Sequence, residues 1–345
     1  MKPHQLVAAW GTILKGHAPL LSIEITRECP LHCPGCYAYG DDHLGGQTTL
    51  RDVHDYRGDD LVHRVIGLVK KHRPLHISLV GGEPLVRHRE LSLILPELSR
   101  MGKFVLVVTS AVIPIPIEWM KLDRLTVAVS IDGLPAEHDT RRTPATYERI
   151  LRNIEGRRVN VHTTVTQQML ESRSYMEEFL GYWNARPELH RLWLSLYTPQ
   201  LGEESAEKIK PESRRWLVEQ LPELHRRFPK LLMTSEYADA LLDPPKNPSD
   251  CMFSRFSVNY TADLATRVEP CIFGGKPDCT NCGCAVSSGF HGIRNKKLAG
   301  PLKIGNLVGV SEAIGAFAGR LAGREAEGLR GRNRPVPSGN LVQIR

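Results

Sequence analysis

Leu20-Leu21-Ser22-Ile23-Glu24-Ile25-Thr26 runs, two residues later, into Cys29-Pro30-Leu31-His32-Cys33-Pro34-Gly35-Cys36-Tyr37. The first seven residues are largely apolar and partly β-branched, so they read as a buried strand. The three cysteines then fall in the loop at its C-terminal end, which in a barrel of parallel strands is the catalytic rim. Three thiolates can hold three irons of a cubane and leave the fourth without a protein ligand, open to a small molecule. Zinc is the competing occupant, but a structural zinc closes with four ligands. No fourth cysteine lies nearby, and His32 adjoins Cys33 at an unusual ligand spacing.

Outward from this stretch, further apolar runs alternate with helix-length amphipathic segments. Strands are predicted over 20–26, 76–80, 104–109, 125–131, 159–166 and 192–197. Helices are predicted over 59–72, 87–100, 117–121, 146–156, 172–184 and 212–227. That alternation marks βαβ units and a parallel sheet. Eight units would close a TIM barrel; six, followed by a change of texture, predict an α/β fold with a partial (β/α)6 TIM-like barrel over 1–242. The change comes at Asp243-Pro244-Pro245-Lys246-Asn247-Pro248, which reads as a domain edge. A small cysteine-rich C-terminal domain is expected over 243–318. A loosely held, flexible tail is expected over 319–345, where Arg, Gly and Glu take over.

The chain is long enough, at 345 residues with 41% hydrophobic content, to fold without staples. It has no apolar run long enough for a membrane span, and its start lacks a signal-peptide core. No stable membrane insertion and a cytoplasmic address are therefore expected. In a reducing compartment, close-set cysteines read as metal or cluster ligands rather than disulfides. The net charge of +7 suits an anionic partner, but the arginine pairs are dispersed and lack interleaved aromatics, which favours solvated helix faces.

All the remaining cysteines, Cys251, Cys271, Cys279, Cys282 and Cys284, lie in the second region. Five thiolates exceed the needs of one four-coordinate centre. The alternation from Ser257 to Asp263 predicts a hairpin between the first two. A Cys-x2-Cys pair with two distant cysteines is also a zinc-ribbon pattern, so zinc stays open here.

Cys-x3-Cys-x2-Cys after a first strand resembles the signature of the radical S-adenosylmethionine (SAM) superfamily. The resemblance implies a [4Fe-4S] cluster on Cys29, Cys33 and Cys36 that SAM chelates. It also implies reductive cleavage of SAM to a 5′-deoxyadenosyl radical that abstracts hydrogen from a substrate. Gly81-Gly82-Glu83-Pro84, at the second strand's end, resembles the superfamily's GGE motif. Its glycines would let backbone carbonyls approach SAM, and Glu83 would accept from the SAM ammonium. Ser130-Ile131-Asp132-Gly133 and the following His138-Asp139 with Arg141-Arg142 resemble a subgroup that carries extra C-terminal clusters. By that likeness Ser130 meets the ribose or carboxylate of SAM, and Arg142 is the better arginine for pairing with the carboxylate. Many members have an aromatic residue just before the third cysteine, where this chain has Gly35; Tyr37 is expected to share in covering the adenine. Thr164 or Thr166, on the fifth strand, is expected near the adenosine. For His138 and Asp139 a capping and loop-fixing role stands beside a catalytic one.

The second cysteine group resembles SPASM and twitch extensions, which hold auxiliary [4Fe-4S] clusters. The count favours a single twitch-type cluster on Cys251, Cys271, Cys279 and either Cys282 or Cys284. The resemblance implies an oxidoreductase or transferase served by a flavodoxin- or ferredoxin-like reductant. By the same analogy the substrate is a peptide, with a separate peptide-recognition protein in place of a built-in domain. A radical SAM enzyme modifying a small molecule or lipid, including by adenosylation, is the alternative. A non-catalytic zinc protein binding nucleic acid is the remote one.

Overall fold

Parallel strands without hairpins need crossover helices, and the helical segments read between the strands supply them. The computed structural model describes residues 3–144, 146–300 and 302–323. Its main sheet has seven strands: β1 (Leu20–Glu24), β2 (His76–Val80), β3 (Phe104–Thr109), β4 (Leu125–Ser130), β5 (Val159–Val165), β6 (Leu189–Leu196) and β7 (Ser257–Tyr260). The order is β6-β5-β4-β3-β2-β1-β7, and every neighbouring pair is parallel. Between the strands lie α2 (Gly58–His72), α3 (His88–Arg100), α4 (Pro135–Arg141), α5 (Tyr147–Ile154) and α6 (Tyr175–Asn184). They follow α1 (Pro3–Leu14) and precede α7 (Pro211–Arg227) and α8 (Ser235–Leu242). The expected partial TIM-like α/β architecture is present.

Alternate strand residues build two unlike faces. Ile23, Leu79, Val107, Val129 and Val161 are fully or almost fully buried and belong to one core with Leu61 and Val65 of α2 and Leu91, Ile94 and Leu98 of α3. The positions between them, Ser22, Ser78, Ser130, His162 and Ser195, are largely polar. Closed TIM barrels fill that inner face with branched apolar side chains; here it is lined with groups that can bind a polar ligand.

Beyond α8 come α9 (Met252–Phe256), β7, α10 (Ala285–Asn295), a short antiparallel hairpin of β8 (Lys297–Ala299) and β9 (Leu302–Lys303), and α11 (Ile304–Leu321). The predicted Ser257–Asp263 hairpin takes a different form. Its first arm is β7, which joins the main sheet beside β1, and only a single antiparallel bridge, Tyr260 to Arg267, closes the turn. The cysteine-rich region thus gives a strand to the barrel sheet. α11 runs on through Gly319 to Leu321, and of the stretch expected as a tail 324–345 lie outside the described residues.

Candidate radical SAM site

The first cysteine loop is fixed from both sides. After β1 the chain is zipped to the Gly81-Gly82 turn, where the Gly82 N–H donates to Thr26 O at 2.8 Å and the Glu83 N–H to Glu28 O at 2.7 Å. A Cβ on Gly82 would lie 2.2 Å from Glu28 O, and Gly81 has φ +118° against Thr26 and Glu24, so only glycine fits either position. On the other side, the His32 N–H donates to Thr143 O and the Thr143 hydroxyl to His32 O, each at 2.7 Å. Burial pushes the Cys29 thiol up to about 12 and raises that of Cys33, where the nearby Arg142 guanidinium offsets part of the effect. Buried thiols are poor as lone anions and suit bonding to metal cations. An open cavity of about 420 Å³ adjoins Cys29, lined by Glu28, Val86, Val112, Ile113 and Arg149.

Glu83 is buried, and its carboxylate is already met by protein donors. Oε1 accepts from Leu85 N (2.9 Å) and Thr109 Oγ1 (2.5 Å), and Oε2 from Ser110 N (2.8 Å) and Ser110 Oγ (2.5 Å). It braces the end of β2 to that of β3. Pro84, also buried, opens the short 3-10 turn that follows.

The β4 end carries a charged hub. Asp132 Oδ2 pairs with Arg141 and with Arg142 Nε (2.8 Å), while Oδ1 accepts the Thr164 N–H (2.9 Å). Burial would raise this carboxyl, but the two guanidiniums and the Thr164 N–H outweigh it and hold it far below the usual carboxylate range. Arg141 also forks onto both oxygens of Glu207. Among the described residues Arg142 makes no second ion pair of that kind, so of the two it is the one with nitrogens to spare. Ser130, buried at the strand end, pairs in register with His162.

His138 and Asp139 fix the loop and cap the next helix. His138 Nδ1 accepts the Asp132 N–H at 3.1 Å, and Asp139 Oδ1 accepts the Thr146 and Tyr147 N–H groups at the start of α5. His162 was not singled out from the sequence, yet on the inner face its Nε2 lies 2.8 Å from Ser195 Oγ. Burial holds both imidazoles at about 4, below the ordinary value of about 6.5. The unfolded chain therefore takes up protons between about pH 6.5 and pH 4 that the folded chain refuses. This contribution is complete above about pH 6.5 and is lost as pH falls through the window, on the order of 3 kcal/mol for each histidine. Urea titrations at pH 7 and pH 5 check it, with His138→Gln expected to flatten the difference.

The second cysteine group docks across the barrel mouth. Leu196 N–H donates to Gly283 O (2.9 Å), and Gly283 N–H to Thr198 Oγ1 (2.9 Å), so the Cys282-Gly283-Cys284 segment adds to the end of β6. All five cysteines line one small cavity with Phe253, Phe273 and Ser287. Burial raises the thiols of Cys271, Cys282 and Cys284, and pushes Cys279 up to about 12. Among the described residues no three His, Cys, Asp or Glu side chains converge as they would on a single metal ion; the thiolates of a cubane bind separate irons and need no such convergence. A Cβ on Gly283 would sit 2.2 Å from Leu196 O and 2.3 Å from Leu196 Cβ. Gly283→Ala is expected to lift the segment from β6 and cost about four irons per chain while SAM cleavage persists, as iron and 5′-deoxyadenosine assays will show.

The two cysteine groups meet through Tyr37 and through His43, which the sequence reading did not single out. His43 Nδ1 lies 3.0 Å from Phe273 O, and its Nε2 lies 2.8 Å from Oε1 of the buried Glu24. The Tyr37 ring stands edge-on to His43 and Phe273, with centroids 5.6 and 5.7 Å away. Tyr37 thus spends its ring on joining the two loops. The contacts of His43 and Tyr37 with Phe273 link positions some 230 residues apart, and no local pattern announces them.

Residues 23–171 match the model described as the Radical SAM superfamily. No curated protein gives a significant match. Among solved structures, native anSMEcpe with bound AdoMet aligns with a TM-score of 0.54 at 16% identity, over 89% of this chain and 99% of that chain. SuiB from Streptococcus suis, bound to precursor peptide SuiA, aligns with a TM-score of 0.52 at 16% identity, over 85% of this chain and 71% of that chain. At such identity the likeness speaks for the fold, and the family match covers the segment bearing the three cysteines, the glycine turn and the Asp132 hub. Across residues 23–171, from the first strand to the turn after the fifth, the chain carries a domain of the Radical SAM superfamily.

Proposed function

We propose that this chain is a radical SAM enzyme that modifies a peptide. The observation that carries the reading is that both cysteine groups flank one polar-lined barrel mouth, the first after β1 and the second fastened to the end of β6. Cys29, Cys33 and Cys36 would hold the [4Fe-4S] cluster, and three half-buried thiols on one loop fit that donor role. The bound cluster and SAM together supply reductive cleavage to a 5′-deoxyadenosyl radical. The protein's part is to bind and orient. The backbone carbonyls of Gly81 and Gly82 offer acceptors for the SAM ammonium, a task for which Glu83 has no oxygen left unmet. Arg142, steadied by Asp132, offers its terminal nitrogens to the SAM carboxylate. Ser130 and Thr164 would bound the ribose side. Of the five later cysteines, four would hold one auxiliary [4Fe-4S] cluster, and a flavodoxin- or ferredoxin-like protein would supply electrons.

Two features support a peptide. The chains it resembles in fold include SuiB, solved with a precursor peptide, and anSMEcpe, solved with bound AdoMet and a Kp18Cys peptide. The Cys282–Cys284 segment also stands at the mouth, where a substrate must pass. The test is anaerobic reconstitution, reduction and incubation with SAM and deuterated peptides encoded beside the gene. Deuterium in 5′-deoxyadenosine and a mass change in the peptide are expected. Turnover of lipid or small-molecule candidates with no deuterium from any peptide would sink the peptide reading.

A further inference from the structure

Most of the exposed bulk apolar surface of the described residues is concentrated on two helices outside the barrel. Leu6, Val7, Trp10 and Leu14 lie on α1, and Val310, Ile314, Phe317 and Leu321 on α11, against six elsewhere. The spacings 6/7/10/14 and 310/314/317/321 follow the helical repeat, so each set forms a stripe along one side of its helix. The two helices are clasped together. Gly16, with φ +79°, sits so close to α11 that a Cβ would meet Gly315 O at 2.6 Å, and Trp10 Nε1 donates to Ser311 Oγ at 2.5 Å. Their inner sides are anchored to the body by Ile13 and Val308 against Met252 and Phe256, and by the buried pair of Glu312 with Arg255. The outer stripes are left in solvent, as far as 69% for Val7 and 75% for Leu321. Concentrated exposure of this kind marks an interaction surface.

Charge identifies the partner. α1 contains no carboxylate, and the only one on α11 is Glu312, which is 2% exposed and paired. Lys15, Lys303 and Arg320 are exposed at the helix ends, with Arg320 stacked 6.0 Å from the Phe317 ring. The sequence that continues from α11, 324–345, holds five arginines against two glutamates. A two-fold pairing of this face with a second copy would bring cations against cations. Apolar stripes that include Trp and Phe, rimmed by cations and free of exposed acids, match the build of helices that lie in the plane of a bilayer. No helix among the described residues is long and apolar enough to cross one.

We propose that the α1/α11 face docks reversibly on an anionic phospholipid surface, the apolar stripes entering the interface and the cations meeting lipid phosphates. The proposal stands apart from the choice of substrate. Its test is sedimentation of the full chain with vesicles of phosphatidylcholine alone and of phosphatidylcholine mixed with phosphatidylglycerol, at low and high salt. The chain is expected to pellet with the anionic vesicles, less so in salt. Val7→Asp with Phe317→Asp should weaken binding roughly a hundredfold, about tenfold for each residue, while circular dichroism confirms the fold. Equal recovery with both vesicle types overturns the proposal. So does a wild-type dimer, detected by analytical ultracentrifugation, that the double variant splits while neither protein binds vesicles; the face would then belong to a second copy.

Discussion

Cys33→Ala is expected to give a folded protein that carries about half the parent's iron and forms no 5′-deoxyadenosine when reduced with SAM. Cys33 lies on an irregular loop and is only half-buried, so its loss removes little packing. Its chemical loss is complete, because two thiolates cannot hold three irons of a cubane. The remaining iron, about four per chain for one cluster, would sit on the second cysteine group as proposed, and that group is held to β6 and His43 by contacts that do not pass through Cys33. Iron and sulfide assays with a chromatographic assay for 5′-deoxyadenosine read both halves. Loss of all iron would mean that the two centres assemble as one.

Asp132→Asn is the second large effect. Asp132 is 1% exposed and neutralises two guanidiniums, and removing one charge from a buried pair typically costs about 3 kcal/mol or more. The folded carboxyl titrates well below its unfolded value of about 3.9. Its contribution is therefore complete above about pH 4 and is lost as the pH falls further, so the variant should lack part of the parent's acid-unfolding limb. SAM affinity should fall at least about tenfold, since Arg142, the proposed partner of the SAM carboxylate, loses the group that aims it. Arg142→Ala separates the two roles. It should weaken SAM binding comparably while costing less stability, because Arg141 keeps Asp132 paired. Equilibrium unfolding and SAM titration of the two variants check this division.

Much of the barrel was legible because a buried parallel strand needs a continuous apolar run, and the chain supplies six. The runs at 76–80 and 104–109 end where the strands end, and the others differ by a few residues. The seventh strand was hidden because Ser257–Tyr260 is short and half polar, and its partner β1 lies more than 230 residues earlier. No element is predicted ahead of the first strand, where α1 lies, since its clasp to α11 depends on Gly16 meeting Gly315 and Gly319. At the site, cysteine spacing and the glycine turn carried the chemistry. The duties of individual side chains did not follow. The donors that Thr109 and Ser110 supply to Glu83 come from the next strand end and have no sequence signature. Arg142 is the arginine the sequence favours for the SAM carboxylate, but the engagement of Arg141 by Glu207, 66 residues later, has no local signal. The Glu24–His43–Phe273 link that draws the cysteine groups together joins three distant segments and has no sequence signature.

The most direct test of the central claim is electron paramagnetic resonance of the reduced, reconstituted protein before and after SAM is added, for the parent and for the variant with Cys29, Cys33 and Cys36 all changed to alanine. A cluster on those three thiolates with an open iron predicts that SAM alters the parent's spectrum and leaves the variant's residual auxiliary signal unchanged. A parent spectrum indifferent to SAM, or a variant spectrum that still responds to it, would contradict the assignment.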